Sequence, residues 1–231
     1  MQNLNQNLFG RIKRLLVLIS PQPPLAGLEV SDSTIRLVHG RDNSKQVSLH
    51  LPPGIIEGGR LKNREGFEAV LRELYRKLPP KIRKHLNVVL TIPANDVFVQ
   101  TFTLPPQVSG NLEEAAELNL QMVSPLNLKQ SYYDWQRMGG GDPAGKTIEL
   151  LGAFVLREIV DGFVQALEEA DLNVAAVEFT SLSLIRELRR QGRIESGQSY
   201  LVVEVKPEGI TFILTRNIQL LFHSFTPWGT I

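Results

Sequence analysis

Hydrophobic and polar residues follow two periods along this chain, and the places where one period gives way to the other divide it into segments. From Leu25 to Leu51 the period is two. Leu25 to Val30, Thr34 to His39 and Gln46 to Leu51 read as a three-stranded meander, with polar turns at Ser31-Asp32-Ser33 and around Arg41-Asp42-Asn43. Pro52-Pro53-Gly54 and Gly58-Gly59 mark a loop, after which the period lengthens. Phe67, Val70, Leu71, Leu74, Tyr75 and Leu78 line one face of a helix that Pro79-Pro80 stops. Asn87 to Ile92 is apolar and β-branched enough for a central strand.

The stretch from Phe98 to Phe179 reads as a unit placed inside this arrangement. Phe98 to Leu104 alternates like a half-buried strand that Pro105-Pro106 ends. Asn111 caps the next helix, Glu114 reaches back to it as in a capping box, and Pro125 bars continuation past Ser124. Two strands, Tyr132 to Met138 and Ile148 to Leu156, flank a glycine-rich hairpin loop. The second helix, Glu158 to Ala170, places Ile159, Val160, Phe163, Ala166, Leu167 and Ala170 on one stripe with Asp161, Gln165, Glu168 and Glu169 opposite. Val174 to Phe179 closes the unit, so the pattern predicts a split βαββαβ subdomain with both helices on one face of its sheet. A short helix (Ser181 to Arg190) and three strands (Tyr200 to Val205, Gly209 to Leu214, Ile218 to Phe225) follow.

The N-terminus is the first place where charge changes the picture. No acid precedes Glu29, whereas Arg11, Lys13 and Arg14 do. On a helical wheel Leu4, Leu8, Ile12, Leu15, Leu16 and Ile19 share about a third of the circumference, away from Lys13 and Arg14. That predicts an interfacial helix touching a membrane through Leu8, Arg11, Ile12, Leu15 and Ile19, or one that docks on the domain or frays. The run Leu15 to Ile19 is too short to span a bilayer or serve as a secretory core. Ser20-Pro21-Gln22-Pro23-Pro24 ends it as a linker.

Over the whole chain, 25 basic residues against 24 acidic ones give a formal net charge of +1, which argues against a nucleic-acid partner. The cluster Arg72, Arg76, Lys77, Lys81, Arg83 and Lys84 reads as solvated surface. The absence of cysteine excludes disulfides, thiol nucleophiles and cysteine-ligated zinc. His39, His50, His85 and His223 are scattered without metal-ligand spacing, and no serine or acid stands convincingly beside them, so no catalytic residue is assigned. Gly140-Gly141-Asp142-Pro143-Ala144-Gly145-Lys146-Thr147 satisfies the spacing of a phosphate-binding loop. A strand rather than a helix is predicted after it, so no helix N-terminus faces the loop and it reads as a hairpin tip.

In this order and spacing, Gly27 to Val38, Leu51-Pro52-Pro53-Gly54, Thr103-Leu104-Pro105, Glu114-Ala115-Ala116 leading to Ser124-Pro125-Leu126, and Tyr133-Asp134-Trp135 resemble the PilM family, the actin-like proteins of type IV pilus assembly. The resemblance covers about Leu25 to the C-terminus, and cytoplasmic domains of type II secretion proteins are the nearest alternative. It implies an α/β fold with α+β elements: an actin-like or ribonuclease-H-like first lobe (25–97 and 178–196) carrying the βαββαβ insert (98–177), and the start of a second lobe (197–231), preceded by the basic segment 1–24. It also implies a scaffold at the cytoplasmic face of the inner membrane, among other pilus assembly proteins, that holds the N-terminal tail of a bitopic PilN-like partner in a groove.

The alternative is an actin-like ATPase with nucleotide-dependent assembly. Actin-like proteins bind phosphate at glycine-bearing turns after each lobe's first strand, with a nearby Asp holding magnesium through water. Here the turns read Glu29-Val30-Ser31-Asp32-Ser33 and Glu204-Val205-Lys206-Pro207-Glu208-Gly209, without those glycines and with an added acid. Ser31, Asp32, Ser33, Thr34, Lys206 and Gly209 are the candidates for ATP and magnesium, though a scaffold with no cofactor is the favoured expectation. For the tail groove the candidates are Ala115, Leu118, Asn119, Met122, Pro125 and Leu126. Asn119 falls on the apolar arc of its helix and needs a partner there. Leu118-Asn119 stand where the family has Trp-Glu, which predicts a less acidic groove and a less basic tail. Lastly, the strands after Tyr200 have no helix of their own, so an apolar face carrying Leu201, Val203, Phe212, Leu214, Leu220 and Phe222 is expected to be open, in a shortened or incomplete chain whose last lobe a partner stabilises.

Overall fold

The computed structural model describes residues 25–39, 45–83, 86–139 and 146–228. Its largest sheet has five strands: β1 (Leu25–Val30), β2 (Thr34–His39), β3 (Lys45–His50), β6 (Asn87–Ile92) and β10 (Asn173–Phe179). They lie in the order β10-β6-β1-β2-β3. The meander pairs antiparallel, while β1 with β6 and β6 with β10 are parallel. This is the strand order expected for the first lobe. Leu28, Val30, Ile35, Leu37, Val88, Leu90 and Ile92 are all buried on it. A two-residue ladder, β4 (Ile56–Glu57) with β5 (Arg60–Leu61), occupies the stretch expected to be loop. Helix α1 (Arg64–Lys77) begins at Asn63, whose side chain accepts from the Gly66 N–H at 2.9 Å. It buries Phe67, Leu71 and Leu74, followed by the short α2 (Pro80–Arg83).

The six elements of the inserted stretch occur in the expected order, but they do not form one unit. Its own sheet has three antiparallel strands, β7 (Phe98–Leu104), β9 (Ile148–Leu156) and β8 (Ser131–Arg137), with β9 central. Helix α3 (Leu112–Val123) covers this sheet. The predicted closing strand, β10, pairs instead with β6 of the large sheet. The second helix, α4 (Arg157–Glu169), packs on α1 of the lobe, where Phe163 meets Phe67 edge-to-face at 5.8 Å and Arg64 binds Glu169 at 2.7 Å. The insert is therefore β7-α3-β8-β9, and the expectation that both helices cover its sheet is corrected. The physical reason is a choice of partner: β10 aligns with all six residues of β6, whose Val88, Leu90 and Ile92 are buried in the core, a gain that a polar edge of the small sheet does not offer. The predicted capping box is also altered, because Asn111 makes no side-chain cap and its amide instead meets the Glu114 carboxylate.

Helix α5 (Thr180–Arg190) leads to a third sheet, β11 (Ser199–Lys206), β12 (Gly209–Arg216) and β13 (Gln219–Pro227), in that order and antiparallel. One face packs back through Tyr200, Val202, Ile213 and Leu220 onto the common core. The other exposes Leu201, Val203, Val205, Phe212, Leu214 and Phe222. Leu220, expected on the open face, is 1% exposed, because the register shift between Leu214 and Thr215 turns it inward.

Candidate functional site

Because β8 is the outer strand of the insert's sheet and β10 the outer strand of the lobe's, two strand edges face each other across a cleft of about 520 Å³. Tyr132 to Gln136 form one wall and Val174 to Phe179 the other. Its floor is apolar, from Ile92, Val97, Leu151, Val160, Val164 and Leu182. Ala175 and Ala176 are exposed, and their small side chains keep the wall shallow.

Three carboxylates stand at the rim: Asp134, Asp161 and Glu178. Glu178 is met by Arg186 and by the Thr91 hydroxyl at 3.3 Å. Asp161 accepts from the Tyr132 hydroxyl at 2.9 Å, and Arg157 lies 4.2 Å above the Tyr132 ring. The cleft is thus apolar within and carries carboxylates at its edge. His223 of β13 supports the far end. Its Nε2 donates to the Val97 carbonyl at 2.7 Å, its ring meets Phe179 edge-to-face at 5.3 Å, and burial holds its pKa below the usual imidazole value.

None of Ala115, Leu118, Asn119, Met122, Pro125 and Leu126 lines this cleft. Leu118 and Met122 are 55% and 83% exposed on the outer side of α3. The Asn119 amide donates one hydrogen to the Ala115 carbonyl one turn back at 2.9 Å. The sequence signal for the cleft was a different one: Tyr132, Tyr133 and Trp135 crowd a single short strand, and an edge strand with that many aromatic residues presents them to something.

The turns expected to hold nucleotide do meet, but they meet one another. Ser31 Oγ is engaged within its own turn by the amides of Ser33 and Thr34 at 3.4 and 3.1 Å. Asp32 accepts from the Gly58 and Gly59 amides at 2.7 and 2.8 Å. Across the lobes Ser33 donates to Glu208 at 2.8 Å, and Lys206 reaches Glu29 at 3.2 Å and Glu204 at 3.1 Å. Burial opposes the Lys206 charge, yet the Glu204 and Glu29 carboxylates outweigh it and hold its pKa above the ordinary lysine value. About 20 Å³ is left among these groups, room for a single water. Gly209 serves a close approach between strands: an added Cβ would stand 2.3 Å from the Thr226 carbonyl oxygen. With Lys206 paired and the carboxylates of Glu29, Asp32, Glu204 and Glu208 close by, this arrangement does not fit ATP and magnesium.

Among the described residues no group of three or more His, Cys, Asp or Glu could hold a metal, and no helix is long and apolar enough to cross a membrane. The phosphate-loop spacing at 140–147 is followed by β9, not by a helix, though most of the loop lies outside the described residues. Leu8, Arg11, Ile12, Leu15 and Ile19 also lie outside them.

Comparison with known proteins bears on this arrangement. The family model described as type IV pilus assembly protein PilM matches residues 27–229. No curated protein matches significantly. A chain of the PilM–PilN type IV pilus biogenesis complex superposes with a TM-score of 0.73 at 20% identity, covering 90% of this chain and 62% of that one. The cytoplasmic domain of EpsL, an inner-membrane component of the type II secretion system of Vibrio cholerae, superposes at 0.54 with 12% identity, over 88% of this chain and 71% of that one. The chain thus spans 62% of the length of the first of these structures, and both share its fold. With almost the whole described length inside the family model, this chain belongs to the PilM family of type IV pilus assembly proteins.

Proposed function

We propose that this chain is a nucleotide-independent scaffold of type IV pilus assembly that holds the N-terminal tail of a PilN-like bitopic partner in the cleft between β8 and β10. The observation that carries this reading is the cleft itself, an apolar floor between two strand edges with an acidic rim. A short segment entering such a cleft loses water from its apolar side chains and keeps a cationic end at the rim. The reading as nucleotide-independent is supported by the interlobe contacts of Ser33, Lys206 and Glu208, which engage the turns expected to hold nucleotide.

Calorimetric titration with a synthetic PilN N-terminal tail tests this reading. Binding is expected for the unmodified protein, lost in Ala176→Arg, which places a long side chain in the cleft, and retained in Met122→Asp on α3. Millimolar Mg-ATP should neither bind nor change the affinity. Loss on Met122→Asp with retention in Ala176→Arg would transfer the site to α3.

The same scaffold is proposed to lie against the cytoplasmic face of the inner membrane through residues 1–20, on the strength of their basic, amphipathic pattern. Liposomes containing anionic lipid should carry the protein down on centrifugation. Leu8→Asp combined with Leu15→Asp, or raised salt, should reduce that, since each Lys or Arg near such a surface contributes about 1 kcal/mol. Sedimentation indifferent to both leaves a helix docked on the domain.

A further inference from the structure

Strand register draws one row of residues across the large sheet. Asn173 pairs with Asn87, Asn87 with Leu25, Ala26 with His39, and His39 with Lys45. This row marks one end of the lobe, the end at which the chain arrives from residues 1–24. The insert and the interlobe turns belong to the other end, where β6 leads on to β7 and Ser33 meets Glu208. A six-residue strand separates the two ends by about 20 Å. The linker Ser20-Pro21-Gln22-Pro23-Pro24 reaches at most about 18 Å. Residues 1–19, when bound to a surface, therefore hold the Leu25 end of the lobe close to it.

That end is basic on the side of α1 and β3. Helix α1 packs on β3 and ends toward the row, since α2 and Leu86 carry the chain from Lys77 to Asn87. Its last two turns expose Arg72, Arg76 and Lys77, and Lys45 is exposed at the start of β3. Arg76 Nε donates to the Arg72 carbonyl at 3.3 Å and Arg83 Nε to the Leu78 carbonyl at 2.8 Å, contacts that leave both positive charges in place. Lys77 meets Glu73 at 3.0 Å, while Arg72 meets Glu68 at 3.7 Å and shares it with Arg64. The acids Glu168 and Asp171 lie toward β10, where they line an open cavity with Arg83 and Asn173. Cations beside the last carbonyls of a helix complement its dipole, which accounts for Arg76, Lys77 and Arg83. It does not account for Lys45, which stands on a strand at the same end.

We propose that this corner of the lobe, with Lys45, Arg72, Arg76 and Lys77, is a second membrane contact that lies against anionic lipid headgroups beside residues 1–20. The inference rests on the reading of residues 1–20 as a membrane-contacting segment and adds which part of the folded lobe meets the lipid. Attraction to an anionic surface falls off within about 8 Å at physiological salt, so only side chains at the tethered end can use it. The same headgroups repel Glu168 and Asp171, which tips the lobe onto its α1–β3 corner. The insert and the interlobe turns then point away from the bilayer. The surface is lipid rather than nucleic acid because Leu8, Ile12, Leu15 and Ile19 are tethered to the same end, and a bilayer takes up such side chains whereas a polyanion in water does not.

The test is co-sedimentation of the full chain with vesicles of phosphatidylglycerol and phosphatidylcholine in equal parts. Lys45→Gln combined with Arg76→Gln should weaken vesicle binding about thirtyfold, the effect of two cations at such a surface. Arg36→Gln combined with Lys62→Gln removes the same charge at the other end, where Arg36 pairs in register with Glu29 and Lys62 follows the strand whose Arg60 binds Asp96. That pair should leave binding unchanged. All four side chains are exposed, so both variants keep the fold, and thermal unfolding checks it. Equal weakening by the two pairs means a general attraction of charge and overturns the proposed corner. No weakening by Lys45→Gln with Arg76→Gln, while Leu8→Asp with Leu15→Asp abolishes binding, overturns the second contact and leaves the N-terminal one standing. Duplex DNA bound as tightly as the vesicles, and released by the same Lys45 and Arg76 variant, overturns lipid as the partner. An unmodified protein that does not sediment overturns both readings.

Discussion

Phe163→Ala is expected to destabilise the protein by about 3–5 kcal/mol, the usual range for emptying a fully buried aromatic site. Phe163 is 0% exposed and stacks edge-to-face on Phe67, itself 0% exposed. Together they join α4 to α1. The size of the effect carries an architectural consequence, because it follows only if α4 belongs to the lobe. If α4 instead covered the insert's sheet, the loss would be confined to β7, β8 and β9, and the lobe would keep its stability. Thermal unfolding followed by hydrogen exchange distinguishes these outcomes, with a drop in Tm on the order of 10 °C and loss of protection in α1 expected.

Gly209→Ala is expected to be the most damaging single methyl that can be added among the described glycines. A Cβ there stands 2.3 Å from the Thr226 carbonyl oxygen and 2.8 Å from both the Phe225 ring and the Pro227 Cα. Two of those three are backbone atoms of the paired strand, so relief requires that β12 and β13 separate at the Gly209–Pro227 end. Overpacking of this kind costs about 1–3 kcal/mol and occasionally more. The strain is applied next to Glu208, so the Ser33–Glu208 contact between lobes should loosen with it. Gly162→Ala in α4 is the contrasting case. Nothing lies within 4 Å of its added Cβ, and helix propensity predicts a gain of about 0.5–1 kcal/mol. Denaturant titration of the two variants checks both signs; a neutral Gly209→Ala would mean that this end of the sheet is already open.

The local elements were legible in the sequence because burial writes its period directly into it. Leu28, Val30, Ile35 and Leu37 alternate, and Ile159, Val160, Phe163, Ala166 and Leu167 recur at helical spacing, all of them buried. Which sheet each strand joins was not legible. Val174 to Phe179 pairs with a strand 86 positions earlier, Asn173 with Asn87, and no local pattern distinguishes that parallel partner from the antiparallel neighbours nearer in sequence. Placing β10 in the wrong sheet hid the cleft, since the cleft exists only because β10 and β8 are edges of different sheets.

The helical wheel of α3 registers Asn119 as a polar residue on an apolar arc but cannot show that its amide donates to the Ala115 carbonyl within the same helix. The two turns were legible in part, since the sequence shows which of their positions lack glycine. That Lys206, Ser33 and Glu208 would use their own charges and hydroxyl to join the lobes required the three-dimensional contacts.

Hydrogen exchange of the intact protein, with and without a synthetic PilN N-terminal tail, tests the central claim most directly. Protection gained along β8 and β10 and at the cleft floor, with the amides of α3 unchanged, is the predicted result. Protection gained around Leu118 to Met122 of α3, with β8 and β10 exchanging as before, would contradict it.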